Sequence, residues 1–130
     1  MKDAEAAMPN NIADLMYRNL LDVFNERDPA RRALAVSEIY AEDVVWHEPD
    51  KDFQGREALA DRAAQVQEEM TGWVFQPSGP VSVNHDIGHL AFHFGPADLP
   101  AAVTGMDIAR CEDGVIVELY TFVNASGDAA

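Results

Sequence analysis

The sequence predicts a single α+β domain. Apolar residues recur at helical spacing in the first half of the chain and at two-residue intervals in the second, where Gly, Pro and Asp signals cut it into short strands. With 130 residues, 48% of them apolar, the chain has the size of one domain able to bury a core without cross-links. Helices gathered on one side of a curved antiparallel sheet are the expected architecture. The domain is expected over residues 11–124, between a disordered tail at 1–10 and a flexible one at 125–130, both small and polar.

In residues 12–25, Ile12, Leu15, Met16, Leu20, Val23 and Phe24 share one face of an amphipathic helix. Asp28-Pro29 offers an N-cap and a first-turn proline for a second helix, carried on by Ala33, Leu34, Val36, Ile39 and Tyr40. Residues 44–48 read as a strand stopped by Pro49, and a polar loop through Gln54 leads into a third helix at 56–70, bounded by Gly55 and Gly72. Strands are predicted at 73–76, 81–84, 89–94, 102–111 and 115–123, the last two joined as a hairpin across Glu112-Asp113-Gly114.

Nine Lys and Arg against 23 Asp and Glu give a net charge of −14, a field that repels the phosphates of nucleic acid and anionic lipid. Neither is an expected partner, whereas a small neutral ligand is compatible. The lone Cys111 forms no intrachain disulfide, no stretch approaches the roughly 18 apolar residues of a membrane span, and the N-terminus lacks the pattern of a secretory signal. A cytoplasmic location is the resulting expectation.

Two carboxylates stand where apolar residues would pack better: Glu48 in YAEDVVWHEP and Asp107 in AVTGMDIARCEDG. Burying a carboxylate is costly unless it is paired, hydrogen-bonded or protonated, so such positions point to a site. Strand alternation places Asp107 with Val103, Gly105, Ala109 and Cys111, and Glu48 with Val44 and Trp46. The rows Leu90, Phe92, Phe94 and Val117, Leu119, Thr121, Val123 are expected to join them around one apolar cavity. Trp46, Leu90, Phe92 and Val123 are its expected walls, and Phe53, in the polar loop, a lid residue at its mouth.

The succession of a helix pair, YAEDVVWHEP, GREAL opening a helix, GPVSVNHD and TGMDIARCEDGVI resembles the NTF2-like superfamily, and within it the SnoaL-like and ketosteroid-isomerase-like branch. The resemblance implies a cone of three helices on a strongly bent sheet, an open-ended pocket for a small apolar molecule, and homodimerisation through the outer sheet face. It also implies cofactor-independent acid/base chemistry of isomerase, cyclase or dehydratase type, or a non-catalytic binding module. By similarity to ketosteroid isomerase, Glu48 would be the general base and Asp107 the neutral donor to a developing oxyanion. That enzyme's tyrosine donor on the first helix is replaced here by Leu20, with Tyr17 one turn earlier as the substitute. Arg110 falls on the strand face opposite Asp107, so the arginine-bridged acid pair of related epoxide hydrolases is not expected.

The four histidines, His47, His85, His89 and His93, are spaced along predicted strands and turns, where an i, i+4 interval does not converge on one metal, and no metal site is expected. Cys111 has no nearby cation to activate its thiol and is expected to be a small buried residue.

Overall fold

The computed structural model describes residues 11–125; the predicted tails lie outside the described residues, except that Ala125 ends the last strand. The helices are α1 (Ile12–Arg18), which continues as a π-helical segment (Asn19–Phe24), α2 (Pro29–Ile39) and α3 (Arg56–Glu69). The strands are β1 (Tyr40–His47), β2 (Asp52–Gln54), β3 (Val74–Pro77), β4 (Ser82–Asn84), β5 (Ile87–Gly95), β6 (Val103–Glu112) and β7 (Val115–Ala125). They form one sheet in the order β2-β1-β7-β6-β5-β3, with β4 also beside β5. No helix among the described residues is long and apolar enough to cross a membrane.

Local chemistry sets the helix starts. Asn11 accepts the Asp14 amide at 2.8 Å, and Asp28 accepts that of Arg31 at 3.0 Å with Pro29 behind it, the cap read from the sequence. α1 seats on β5 at Gly88, where a Cβ would stand 2.7 Å from Ile12 Cγ2 and 2.9 Å from Met16 Cγ. The single helix predicted over 12–25 changes character after Arg18: the Asn25 amide reaches back five residues to the Leu20 carbonyl at 3.1 Å. This wider coil turns Asn19, Leu20, Val23 and Phe24 all toward the interior.

The carbonyls at the end of the π-helical segment need donors. Gln67 of α3, itself buried, gives its amide N–H groups to the carbonyls of Phe24 and Glu26, both at 2.8 Å, and its oxygen accepts from buried Arg32 at 3.0 Å. Gln67→Ala is expected to cost about 2–3 kcal/mol, because it strands the Phe24 carbonyl and one Arg32 N–H away from water, while Glu26 keeps its donor from Arg32 at 2.7 Å. A lower urea midpoint at unchanged slope would measure that loss.

Four expectations are corrected by the fold. The sheet is mixed rather than antiparallel, since β1 runs parallel to β7; the intervening chain spans most of the domain, long enough for a crossover. Tyr40 opens β1 instead of ending α2, and its phenol is carried inward to Asn19. Residues 52–54 form β2 rather than loop, held to β1 by the pairing of Trp46 with Phe53 and by His47, whose ring meets Asp52 and Glu118 at 2.8 Å each. A β-bulge opposite Arg110 and Cys111 leaves Val117 as the extra residue, so Ile116, and not Val117, joins Leu119 inside.

Candidate functional site

The sheet, the π-helical segment and α3 line a partly open cavity of about 280 Å³. Leu20, Phe24, Trp46, Phe75, Phe92 and Phe94 make most of its wall, with Val66, Met70, Val103 and Val123 completing it. The polar side chains on this lining are Glu48, Arg62, Asp107 and Thr121. Both acids singled out in the sequence therefore face one space. Asp107 pairs with Thr121 across β6 and β7, and His47 pairs with Tyr120 across β1 and β7. Glu48 follows His47 directly, so β7 lies between the strands that carry the two acids.

Asp107 is only 3% exposed. Its Oδ1 accepts the Thr121 hydroxyl at 2.7 Å and its Oδ2 accepts the Asn19 amide N–H at 3.0 Å. Behind these, the Trp46 indole N–H donates to Thr121 Oγ1 at 3.0 Å, and the buried Tyr40 hydroxyl donates to Asn19 Oδ1. Burial pushes the Asp107 carboxyl up to about 7, against the pull of its two donors. Burial, with the charge of Asp107 adding to it, raises Tyr40 well above the ordinary phenol value, so the phenol keeps its proton.

Glu48 is differently held: Arg62 of α3 donates Nε–H to Glu48 Oε2 at 3.1 Å and Nη1–H to Gln65 at 3.0 Å, and Glu69 stands 3.7 Å from the same Nη1. The Glu48 and Arg62 side chains are 17% and 25% exposed, so this pair sits nearer water than Asp107 does.

Of the walls expected from sequence, Trp46, Phe92 and Val123 line the cavity. Leu90 is fully buried but outside the lining, because α1 lies over the Gly88 end of β5 and leaves the cavity the Phe92 and Phe94 end. Phe53 packs on Trp46 with ring centroids 5.3 Å apart and is also absent from the lining, as is half-buried Tyr17. Cys111 is buried, with its thiol pushed up to about 11 by burial first and then by Asp86. Sequence reasoning missed Asn19, Arg62 and Tyr40. Asn19 was detectable, since it falls four residues after Leu15 on the apolar stripe of the first helix.

Three helices over a bent, unclosed sheet, with buried and half-buried carboxylates facing one apolar cavity, define a domain of the NTF2-like cone class. Residues 17–119 match the SnoaL-like domain family, and the chain belongs to that family. Among solved structures it is similar to a candidate isomerase of the SnoaL-like family from Agrobacterium tumefaciens, at TM-score 0.79 and 19% identity over 85% of this chain and 95% of that one. It is also similar to a candidate polyketide cyclase from Sinorhizobium meliloti, at TM-score 0.63 and 21% identity over 82% and 89%. A third is a protein of ketosteroid-isomerase-like fold from Catenulispora acidiphila, in complex with trimethylamine, at TM-score 0.69 and 12% identity over 89% and 88%. At these identities the likeness is one of fold. No protein of curated function matches the chain.

Proposed function

We propose that this protein is a cofactor-independent acid/base catalyst acting on a small apolar carbonyl compound, by isomerase, cyclase or dehydratase chemistry, with Asp107 as the carboxylate that moves the proton. The observation that carries this reading is the environment of Asp107: a carboxyl 3% exposed on an apolar cavity, accepting a hydrogen bond on each oxygen and raised to about 7 by burial. A base is most effective when its pKa lies near the working pH. The reading exchanges the roles implied by the family resemblance. Asp107 has two donor partners, which suit its ionised form, whereas Glu48 is tied to Arg62.

In the proposed step Asp107 takes the proton beside the carbonyl, the C–H electron pair becomes the new C=C bond, and the carbonyl π pair moves to oxygen. Leu20 leaves no tyrosine donor for that oxygen, and Arg62, the cation on the lining, is the proposed stabiliser. The volume of about 280 Å³ lies at the low end for small-molecule sites, which favours a compound of one or two rings over a four-ring one.

The test is exchange of the α-proton for deuterium, followed by NMR in D2O over a panel of one- and two-ring ketones and β-dicarbonyl compounds. Catalysed exchange of a compound that also binds is the expected result. Binding without exchange would instead mark a non-catalytic ligand-binding module. If Arg62 stabilises the oxyanion, Arg62→Met is expected to slow exchange about 10- to 100-fold with little change in the affinity for the unreacted ketone; an equal loss of affinity would count against that role.

A further inference from the structure

We infer that Tyr40 and Trp46, neither of which hydrogen-bonds to Asp107, are positioning residues that orient the hydrogen bonds reaching it and so favour it as an acceptor. The inference rests on the proposed role of Asp107 and names what regulates it.

An amide or a hydroxyl next to a carboxyl can in principle point either way. Asn offers a donor and an acceptor end, and Thr has one O–H and two lone pairs. Asn19 alone could turn its oxygen toward Asp107 and accept from the protonated acid, and Thr121 alone could do the same. The outer residues narrow that freedom. An indole N–H only donates, so Trp46 takes one of the two Thr121 Oγ1 lone pairs at 3.0 Å, and the Thr121 proton has Asp107 Oδ1, at 2.7 Å, as its acceptor. The Tyr40 hydroxyl is fully buried with Asn19 as its partner, and turning Asn19 around would orphan the phenol proton. Tyr40 therefore holds Asn19 Oδ1, and the Asn19 N–H is left for Asp107 Oδ2 at 3.0 Å. No buried side-chain nitrogen or oxygen among the described residues lacks a partner, so the two chains, Trp46 to Thr121 and Tyr40 to Asn19, close with a partner at every buried side-chain polar atom.

Three distant elements converge here. Trp46 and Tyr40 come from opposite ends of β1, Thr121 from β7, and Asn19 from the π-helical segment, whose wider turn accommodates a buried polar side chain among Leu20, Val23 and Phe24. The charged groups that share the cavity with Asp107 are Glu48, at the end of β1, and Arg62 of α3, paired to each other; β5 presents Leu90 opposite Asp107, and Tyr40 stands behind Asn19. Substitution at Tyr40 leaves the Glu48–Arg62 pair in place, so a change in Asp107 reports on the chain through Asn19.

The test is a 13C NMR titration of the Asp107 carboxyl in the full-length protein and in Tyr40→Phe, Trp46→Phe and the double variant, with Thr121→Val and Thr121→Ser as a second pair. Freed amides and hydroxyls can accept from a protonated acid, so each Phe variant is expected to raise the Asp107 midpoint by about one pH unit, and the double variant further. Thr121→Ser keeps the hydroxyl and the wild-type midpoint, while Thr121→Val raises it. Residues that merely fill space would lower stability and leave the titration unmoved; midpoints unchanged in both folded Phe variants would overturn the inference, and should those variants fail to fold, an unmoved Thr121→Val midpoint would do so. The outcome is separable from the catalytic reading. Shifted midpoints without exchange on any carbonyl compound would leave the positioning intact and end the proposed activity, and exchange with unmoved midpoints would do the reverse.

Discussion

Asp107→Asn is expected to lower kcat/KM for α-proton exchange by about 10²- to 10⁴-fold, the range for removing a positioned general base. The substitution keeps the size of the side chain and takes away only the site that receives the proton. It also turns an amide N–H toward one of two committed donors, Asn19 Nδ2 or Thr121 Oγ1, so one hydrogen bond is lost as well. Ligand binding, which depends on the apolar wall of Phe24, Trp46, Phe75 and Phe92, is expected to survive, placing the loss in kcat rather than KM. Glu48→Gln, by contrast, is expected to cost about tenfold or less, because a glutamine still accepts from Arg62 Nε. In wild type, kcat/KM is expected to rise with pH through about 7 as Asp107 ionises. A Glu48→Gln loss as large as that of Asp107→Asn would return the base to Glu48 and sink the present assignment.

The strands announced the acids, whereas the helices concealed their partners. Asp107 and Glu48 were legible because a carboxylate interrupts an apolar alternation, and the same alternation placed Trp46, Phe92 and Val123 on the cavity side. Asn19, Gln67 and Arg32 break apolar stripes in the same way at helical spacing: Asn19 four residues after Leu15, Gln67 after Leu59 and Ala63, Arg32 before Ala35, Val36 and Ile39. Each proves buried and hydrogen-bonded. What local pattern does not contain is the π-helical segment and the bulge beside Val117, because both depend on contacts from distant residues such as Gln67 and on the register of a neighbouring strand. β2 is of the same kind: three residues carry no periodicity, and their strand exists because Trp46 and His47 hold it. Leu90 and Phe92 share one row in sequence, and only the seat of α1 on Gly88 separates core from cavity.

Acidification from pH 8 to pH 5 is expected to stabilise the protein through Asp107, opposite to the usual behaviour of carboxylates. Its pKa is raised from the ordinary 3.8 to about 7 in the folded chain. Between those values the folded state holds a proton that the unfolded state has released, so stability falls as pH rises and levels off above about 7. The full span is worth about 4 kcal/mol, a penalty carried above pH 7 to keep a charged carboxylate in its buried position. His47 acts in the same direction but higher: its hydrogen bonds to Glu118 and then Asp52 raise its pKa, so its contribution is complete below about 6.5 and lost above. Glu118, lowered chiefly by His47, weakens only at more acidic pH. The separating measurement is denaturant unfolding of wild type and Asp107→Asn across pH 4 to 8. The difference between the two curves is expected to slope downward from pH 4 to 7 and to be flat beyond, independent of His47, which both proteins retain. A flat difference throughout would mean that Asp107 is ionised at an ordinary pKa, its donors offsetting its burial.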